Sequence, residues 1–262
     1  MKVLIRTNKL SKYYGRNPEI KAVDELNLEV YAGETFGLLG PNGAGKTTTI
    51  RLLNSIIKPT SGTATVNGFD ISKDEEKVKQ ITGLLAESPG LYEKLSASEF
   101  LEFMGALYEV PGDILSKRID DLLKLFSLYE RRDDLLESYS RGMKQKVLIA
   151  AALIHDPPIL FFDEPTSMLD PRAALMVKDL IKDLAERAGK TIFISSHILP
   201  IVEQICDRIG IIHQGHLIAL GTVEEIISQT KTKTLEEAFI SATGGVSEKE
   251  LLTWREQRGA DD

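Results

Sequence analysis

Eight consecutive residues, Gly40-Pro41-Asn42-Gly43-Ala44-Gly45-Lys46-Thr47, have the types and spacing of a phosphate-binding loop. Glycines let the backbone curl until successive N–H groups point inward at phosphate oxygens, where a Cβ would obstruct. A helix opening at this point directs its partial positive charge at the same anion. In such a loop, phosphates rest on Asn42 to Thr48, Lys46 reaches the β- and γ-phosphates, and the Thr47 hydroxyl completes a Mg²⁺ shell. The bland alternative is a glycine turn followed by an unrelated lysine. It is disfavoured because the loop lies between an apolar run, Thr35–Leu39, and the helical spacing of Ile50, Leu53, Asn54 and Ile57.

A second constellation follows 117 positions after Lys46, where the apolar run Ile159-Leu160-Phe161-Phe162 ends in Asp163-Glu164. Bulky apolar residues place this strand inside a sheet, so its carboxyl end emerges beside the loop. There Asp163 can hold Mg²⁺, directly or through water, and Glu164 can polarise an attacking water as a general base. Taken alone, the pattern would more often be a strand ending in solvated charges. Following a phosphate loop, the catalytic reading is favoured.

These residues need elements to hold them. Residues 3–6 and 26–30 alternate as strands do, with a turn-rich stretch at Gly15-Arg16-Asn17-Pro18 between them. From about 96 to 136 the apolar residues fall into helical stripes. Phe100, Leu101, Met104, Leu107 and Tyr108 form one; Ile119, Leu122, Leu123 and Phe126 form another, with Pro111-Gly112 between them and Asp113 as a cap. Strands resume at 159–162 and 192–195, separated by a helix from Pro171 whose inner face carries Val177, Leu180, Ile181 and Leu184. The alternation predicts a three-layer α/β core over 1–221, with an α subdomain inserted at about 90–155. Short helices and a charged tail occupy 222–262.

Composition narrows the class. The 262 residues carry a net charge of -7 and are 42% hydrophobic and 27% charged, with mean hydropathy of -0.10. That balance suits an ordinary globular protein and argues against a general nucleic-acid binder. The longest apolar run, 147–154, is too short to span a bilayer, and the first twelve residues lack the pattern of a signal peptide. A cytoplasmic location is therefore expected. One cysteine, Cys206, excludes an internal disulfide, and His155, His213 and His216 have no ligand spacing for zinc and are expected at the surface or satisfied in the core.

Further elements make the chain resemble the nucleotide-binding subunits of ABC transporters over nearly its whole length. Tyr139-Ser140-Arg141-Gly142-Met143-Lys144-Gln145 stands where that family has its LSGGQ signature. Ser167-Met168-Leu169-Asp170 resembles its D-loop, Ser195-Ser196-His197 its switch histidine, and Tyr14 the aromatic residue that stacks on adenine. Glu87, in Leu84-Leu85-Ala86-Glu87-Ser88-Pro89, occupies the place of the Q-loop glutamine. Physically, a serine followed by glycine and a long apolar helix is another helix N-terminus able to hold an anion.

The resemblance implies an α/β P-loop NTPase core with an antiparallel β portion and an inserted α-helical subdomain. It also implies an ATP hydrolase that uses ATP and Mg²⁺. Two copies, identical or related, would pack head to tail, with Ser140, Gly142 and Met143 of each closing over the partner's γ-phosphate and Asp170 nearby. Glu87 would supply an oxygen to metal or water, and His197 would contact the γ-phosphate. An integral membrane permease would be the second partner, its cytoplasmic helix meeting the insert near Leu91 and Tyr92, and nucleic acid would not be one. The protein would then sit on the cytoplasmic face of the cell membrane.

Tyr139, Arg141, Met143 and Glu87 depart from the family's leucine, glycine, glutamine and glutamine. Such variants, with the stretch Thr234-Leu235-Glu236-Glu237-Ala238-Phe239, resemble the export branch, which pairs a lone ATPase with a separate membrane protein. Three other readings stand beside this one: a non-transport ATPase of the same family acting on DNA or ribosomes, a binding module without turnover, and import.

Overall fold

The computed structural model describes residues 2–15, 20–87, 90–167 and 169–244. Of the sequence expectations, the turn residues 16–18, Ser88, Pro89, Met168 and the tail from 245 onward lie outside the described residues. Two sheets form the frame. One is antiparallel, with β1 (Val3–Tyr14) between β2 (Ile20–Leu26) and β5 (Ser61–Val66), β6 (Phe69–Asp70) beyond β5, and β3 (Glu29–Tyr31) also pairing with β1. The expected strand at 26–30 is thus split: β2 ends at Leu26 and β3 begins at Glu29.

The second sheet has the order β11-β10-β4-β9-β8-β7. It comprises β4 (Thr35–Leu39), β7 (Thr82–Leu85), β8 (Ile159–Asp163), β9 (Thr191–Ser196), β10 (Arg208–His213) and β11 (His216–Gly221). All neighbours are parallel except the β10–β11 hairpin. Strands buried on both faces read as unbroken apolar runs, and β4 and β8 are buried at every position. Successive side chains of β8 point to opposite faces. Ile159 and Phe161 join the core on the side of α1 (Lys46–Leu53), and Leu160 and Phe162 the core on the side of the inserted helices.

Between β7 and β8, which pair directly, the chain makes a long excursion through α3 (Ala97–Leu107), α4 (Gly112–Leu125) and α5 (Arg141–Leu153). A capping box of Ser96 and Glu99 starts α3. Two local expectations are corrected. Pro111, not Asp113, is the N-cap of α4, because the fixed proline φ leads the helix and Asp113 falls inside its first turn. Leu107 lies at the last turn of α3 and is 62% exposed, so it is not part of the buried stripe. Ile57 likewise lies beyond α1, which ends at Leu53 with Asn54 as its cap.

Just after α5, the His155 ring stacks on Tyr108 with centroids 3.6 Å apart and planes 3° from parallel. Its Nε2 lies 3.0 Å from the Thr82 carbonyl, which only accepts, so Nε2 carries the proton. Burial holds the imidazole pKa down at about 4. The remaining helices are α2 (Glu75–Gln80), α6 (Pro171–Glu186), α7 (Leu199–Ile205), α8 (Val223–Thr230) and α9 (Leu235–Thr243). Among the described residues no helix is long and apolar enough to cross a membrane.

Candidate functional site

In an open parallel sheet, ligands meet the carboxyl ends of the strands. β4 ends at Leu39 in mid-sheet, and the loop 40–45 turns there into α1. The turn demands glycine at its last position: Gly45 has φ 114°, and a Cβ there would stand 2.2 Å from the Ala22 carbonyl oxygen. The hairpin of β10 and β11 braces the loop from beneath, with the Gly215 N–H donating to the Ala44 carbonyl at 3.0 Å.

A cleft of about 190 Å³ opens over the loop, lined by Asn42, Gly43, Gly45, Lys46, Thr47 and Thr48 together with Ala22, Glu87 and Glu164. Gly40 and Pro41 contribute differently: their carbonyls accept from Lys46 Nζ at 2.8 and 3.2 Å. Lys46 is 6% exposed, and its ammonium also lies 3.3 Å from Glu164 Oε1. That oxygen is buried without a hydrogen bond, so the contact with Lys46 is one of charge only. An ammonium held between carbonyls with a carboxylate at its side is a cation ready for an incoming anion.

Glu164 follows directly on β8 and adopts φ 52°, a conformation that side chains other than glycine seldom take and that clusters at functional sites. Its N–H is held by the Ser195 hydroxyl at 3.0 Å and the Ser195 carbonyl at 3.2 Å. Glu164 Oε2 lies 2.9 Å from His197 Nδ1, which comes from the loop after β9. Lys46, Glu164 and His197 therefore form a continuous line from the loop floor to the exposed rim.

Asp163 sits one position back and does not line the cleft. It is 2% exposed, with Oδ1 accepting from the Ser195 hydroxyl at 2.5 Å. Ser195 thus ties both acids together, a role sequence reasoning missed; the signal was a hydroxyl residue next to last in the strand that neighbours the acidic one. Ala22, also missed, enters the cleft because β2 passes beside the loop, and nothing in its residue type announces this.

The remaining candidates lie elsewhere. Tyr14 ends β1, 39% exposed, with the Lys12 ammonium 5.3 Å above its ring. Ser140, Gly142, Met143 and Asp170 line a second cleft of about 410 Å³ that shares no residue with the first. Ser140 caps α5, accepting from Met143 N at 3.3 Å, and Asp170 caps α6, accepting from the N–H groups of Arg172 and Ala173. Buried Tyr139 donates its hydroxyl to the Arg131 carbonyl, which fixes the start of α5. Further along, Gln145 Nε2 donates to the Pro165 carbonyl at 3.2 Å, joining α5 to the loop that follows Glu164. Tyr92 is 59% exposed and meets Phe103 edge to face, with Leu91 packed on the core beside it.

Comparison with known proteins places this geometry. Residues 23–167 match the ABC transporter family. The ABC transporter ATP-binding protein NatA of Bacillus subtilis (strain 168) is 39% identical over 231 residues, 88% of this chain and 94% of that protein. The linearmycin resistance ATP-binding protein LnrL of the same organism is 37% identical over 259 residues, 99% of this chain and 81% of that protein. Among solved structures, the dimeric post-hydrolysis state of the ATP-binding cassette MJ0796, bound to ADP and Pi, superposes with a TM-score of 0.77 at 26% identity, covering 84% of this chain and 98% of that one. Transporter relatives disfavour the reading as a non-transport ATPase on DNA or ribosomes.

Proposed function

Given that the chain belongs to the ABC transporter family and is an ATP-hydrolysing subunit, we propose that it drives an exporter. It would do so as a head-to-tail dimer bound to a separate permease on the cytoplasmic face of a membrane. The line Lys46–Glu164–His197 beside the phosphate loop carries this reading. Export is supported by the resemblance of the signature and of residues 234–239 to that branch, and by a relative named for linearmycin resistance.

In this proposal the loop N–H groups and the Lys46 ammonium take the β- and γ-phosphates of ATP, while Tyr14 stacks on adenine. Glu164 takes the proton of the attacking water as general base. His197, bonded to the other carboxylate oxygen, orients Glu164 and contacts the γ-phosphate. From the facing protomer, the α5 N-terminus brings Ser140, Gly142 and Met143 over the same phosphate, with Asp170 beside them. Two separate clefts within one chain, with no lining residue in common, support this division.

Mg²⁺ fits the donors present. The Thr47 hydroxyl and the Glu87 carboxylate line the cleft and offer the oxygen ligands this ion prefers, while Asp163, set back from the cleft, would act through water. Among the described residues no group of three or more His, Cys, Asp or Glu converges on a metal, which suits an ion held mainly by substrate phosphates and water. When bound, it would neutralise charge on the β- and γ-oxygens.

The permease's cytoplasmic helix would dock where the insert meets the core. Ile56 and Leu107, 52% and 62% exposed, flank a groove of about 460 Å³ there, with Met104 and Tyr108 along its wall. Tyr92 extends the apolar surface. Differential affinity for the open and closed dimers is the source of work.

Glu164→Gln tests the chemistry. ATP affinity should persist while turnover falls by about 10³-fold, within the span ascribed to a general base, and the closed dimer should accumulate. Near-normal turnover would remove Glu164 from the mechanism. Co-purification of a membrane-spanning partner from detergent extracts tests the assignment to a transporter.

A further inference from the structure

We propose that Glu87 of one protomer and Arg141 of its mate form an ion pair across the dimer interface, so that two departures from the family's motifs compensate each other. The proposal rests on the head-to-tail dimer described above. Three observations carry it.

First, Glu87 lines the loop cleft, is exposed, and has no hydrogen-bond or ion-pair partner among the described residues. Lys46 and Glu164 already balance one another there. Glu87 therefore leaves the cleft with a net negative charge before any phosphate enters. A glutamine at this position would not. Mg²⁺ entering with the nucleotide would offset part of this charge, and a cation arriving with the closing partner would offset the rest.

Second, Arg141 is the first residue of α5, directly after the capping serine, and it too is exposed and unpartnered among the described residues. Its neighbours on the helix are committed within the chain: Lys144 to Glu93, and Lys146 to the Phe126 carbonyl. Arg141 alone on this turn offers a free guanidinium, whose planar N–H donors can reach one carboxylate oxygen across the interface.

Third, the charges are complementary in place as well as in sign. One stands on the wall of the cleft that receives phosphate, the other at the lip of the helix end that covers it. Closure brings opposite signs together and leaves each oxygen of Glu87 with work, one toward the guanidinium and one toward the metal side of the cleft. The family pattern of glutamine and glycine is neutral on both sides, so either substitution alone would leave an uncompensated charge in a desolvated interface.

Sedimentation of the Glu164→Gln protein with ATP measures dimerisation without turnover. Glu87→Gln and Arg141→Gly should each weaken the ATP-bound dimer about tenfold, the lower end of measured couplings between close charges across an interface. The double variant should be no weaker than either single one. Proximity is read separately by mixing Glu87→Cys and Arg141→Cys proteins, each sample alone serving as the control for Cys206. A disulfide-linked dimer should form with ATP in the mixture only. Losses that simply add, or a mixture that fails to cross-link, overturn the pair while leaving the dimer standing. A Glu164→Gln protein that stays monomeric with ATP overturns the dimer, and the pair with it.

Discussion

Mild acid should loosen this fold at a known place. His155 is neutral in the folded chain, its pKa held to about 4 by burial against Tyr108. Arg118 and Lys190 push in the same direction, while Asp156 and the Thr82 bond oppose them. In the unfolded chain the ring regains an ordinary value of 6.5. Between pH 6.5 and 4 the unfolded state therefore binds a proton that the folded state refuses, so stability complete above pH 6.5 is lost as pH falls to about 4. The gap corresponds to about 3.4 kcal/mol at about 1.36 kcal/mol per pH unit. A ring that keeps some contact with water should show about 2 kcal/mol. Urea denaturation at steps across this range measures the loss. His155→Phe keeps the stack and removes the titration, so its stability curve should lack that component, whatever its absolute level. An unchanged slope in this variant would show that the ring does not titrate as argued, and that the α3–β7 junction is held by something else.

Two further outcomes follow from contacts at the site. Ser195→Ala removes the donor to Asp163 and one acceptor for the Glu164 N–H, leaving a buried carboxylate short of a partner. Stability should fall by about 2 kcal/mol, the range for hydrogen bonds to charged groups, with ATPase turnover falling alongside; chemical denaturation and steady-state kinetics check both. Replacing both Ile56 and Leu107 with Glu should leave ATP hydrolysis by the isolated subunit unchanged while abolishing its recovery with the permease. Retention of the membrane partner would place docking elsewhere.

Much of the core was legible because burial writes itself into residue type. β4 begins and ends where its apolar run does, and β8 differs from the expected strand only by taking in Asp163. α6 begins at the expected Pro171, led by its Asp170 cap. The antiparallel sheet was less visible. β5, Ser61–Val66, is half exposed and opens with a serine and a glycine, so its alternation runs over only Thr63 to Val66 and no apolar run marks it. β7 has four residues and no room for a period, and β10 takes its register from β4, far away in the chain, while β11 is held by its hairpin with β10. At the site, motif spacing located the loop and the two acids, but not which acid faces the cleft. That depends on the alternation at the end of β8 and on a left-handed turn at Glu164, a conformation its residue type does not favour.

The bond from Gln145 to the Pro165 carbonyl has a consequence for timing. In the proposed dimer, the helix end that a protomer would lend to its mate and the carboxylate it would keep for itself are joined by one short strut. There, a shift in the segment after Glu164 on loss of its own γ-phosphate would be passed along α5 to the lid over the other nucleotide. Each half of such a pair would sense which nucleotide its neighbour holds, and this coupling of binding affinities, being thermodynamic, would run equally in both directions.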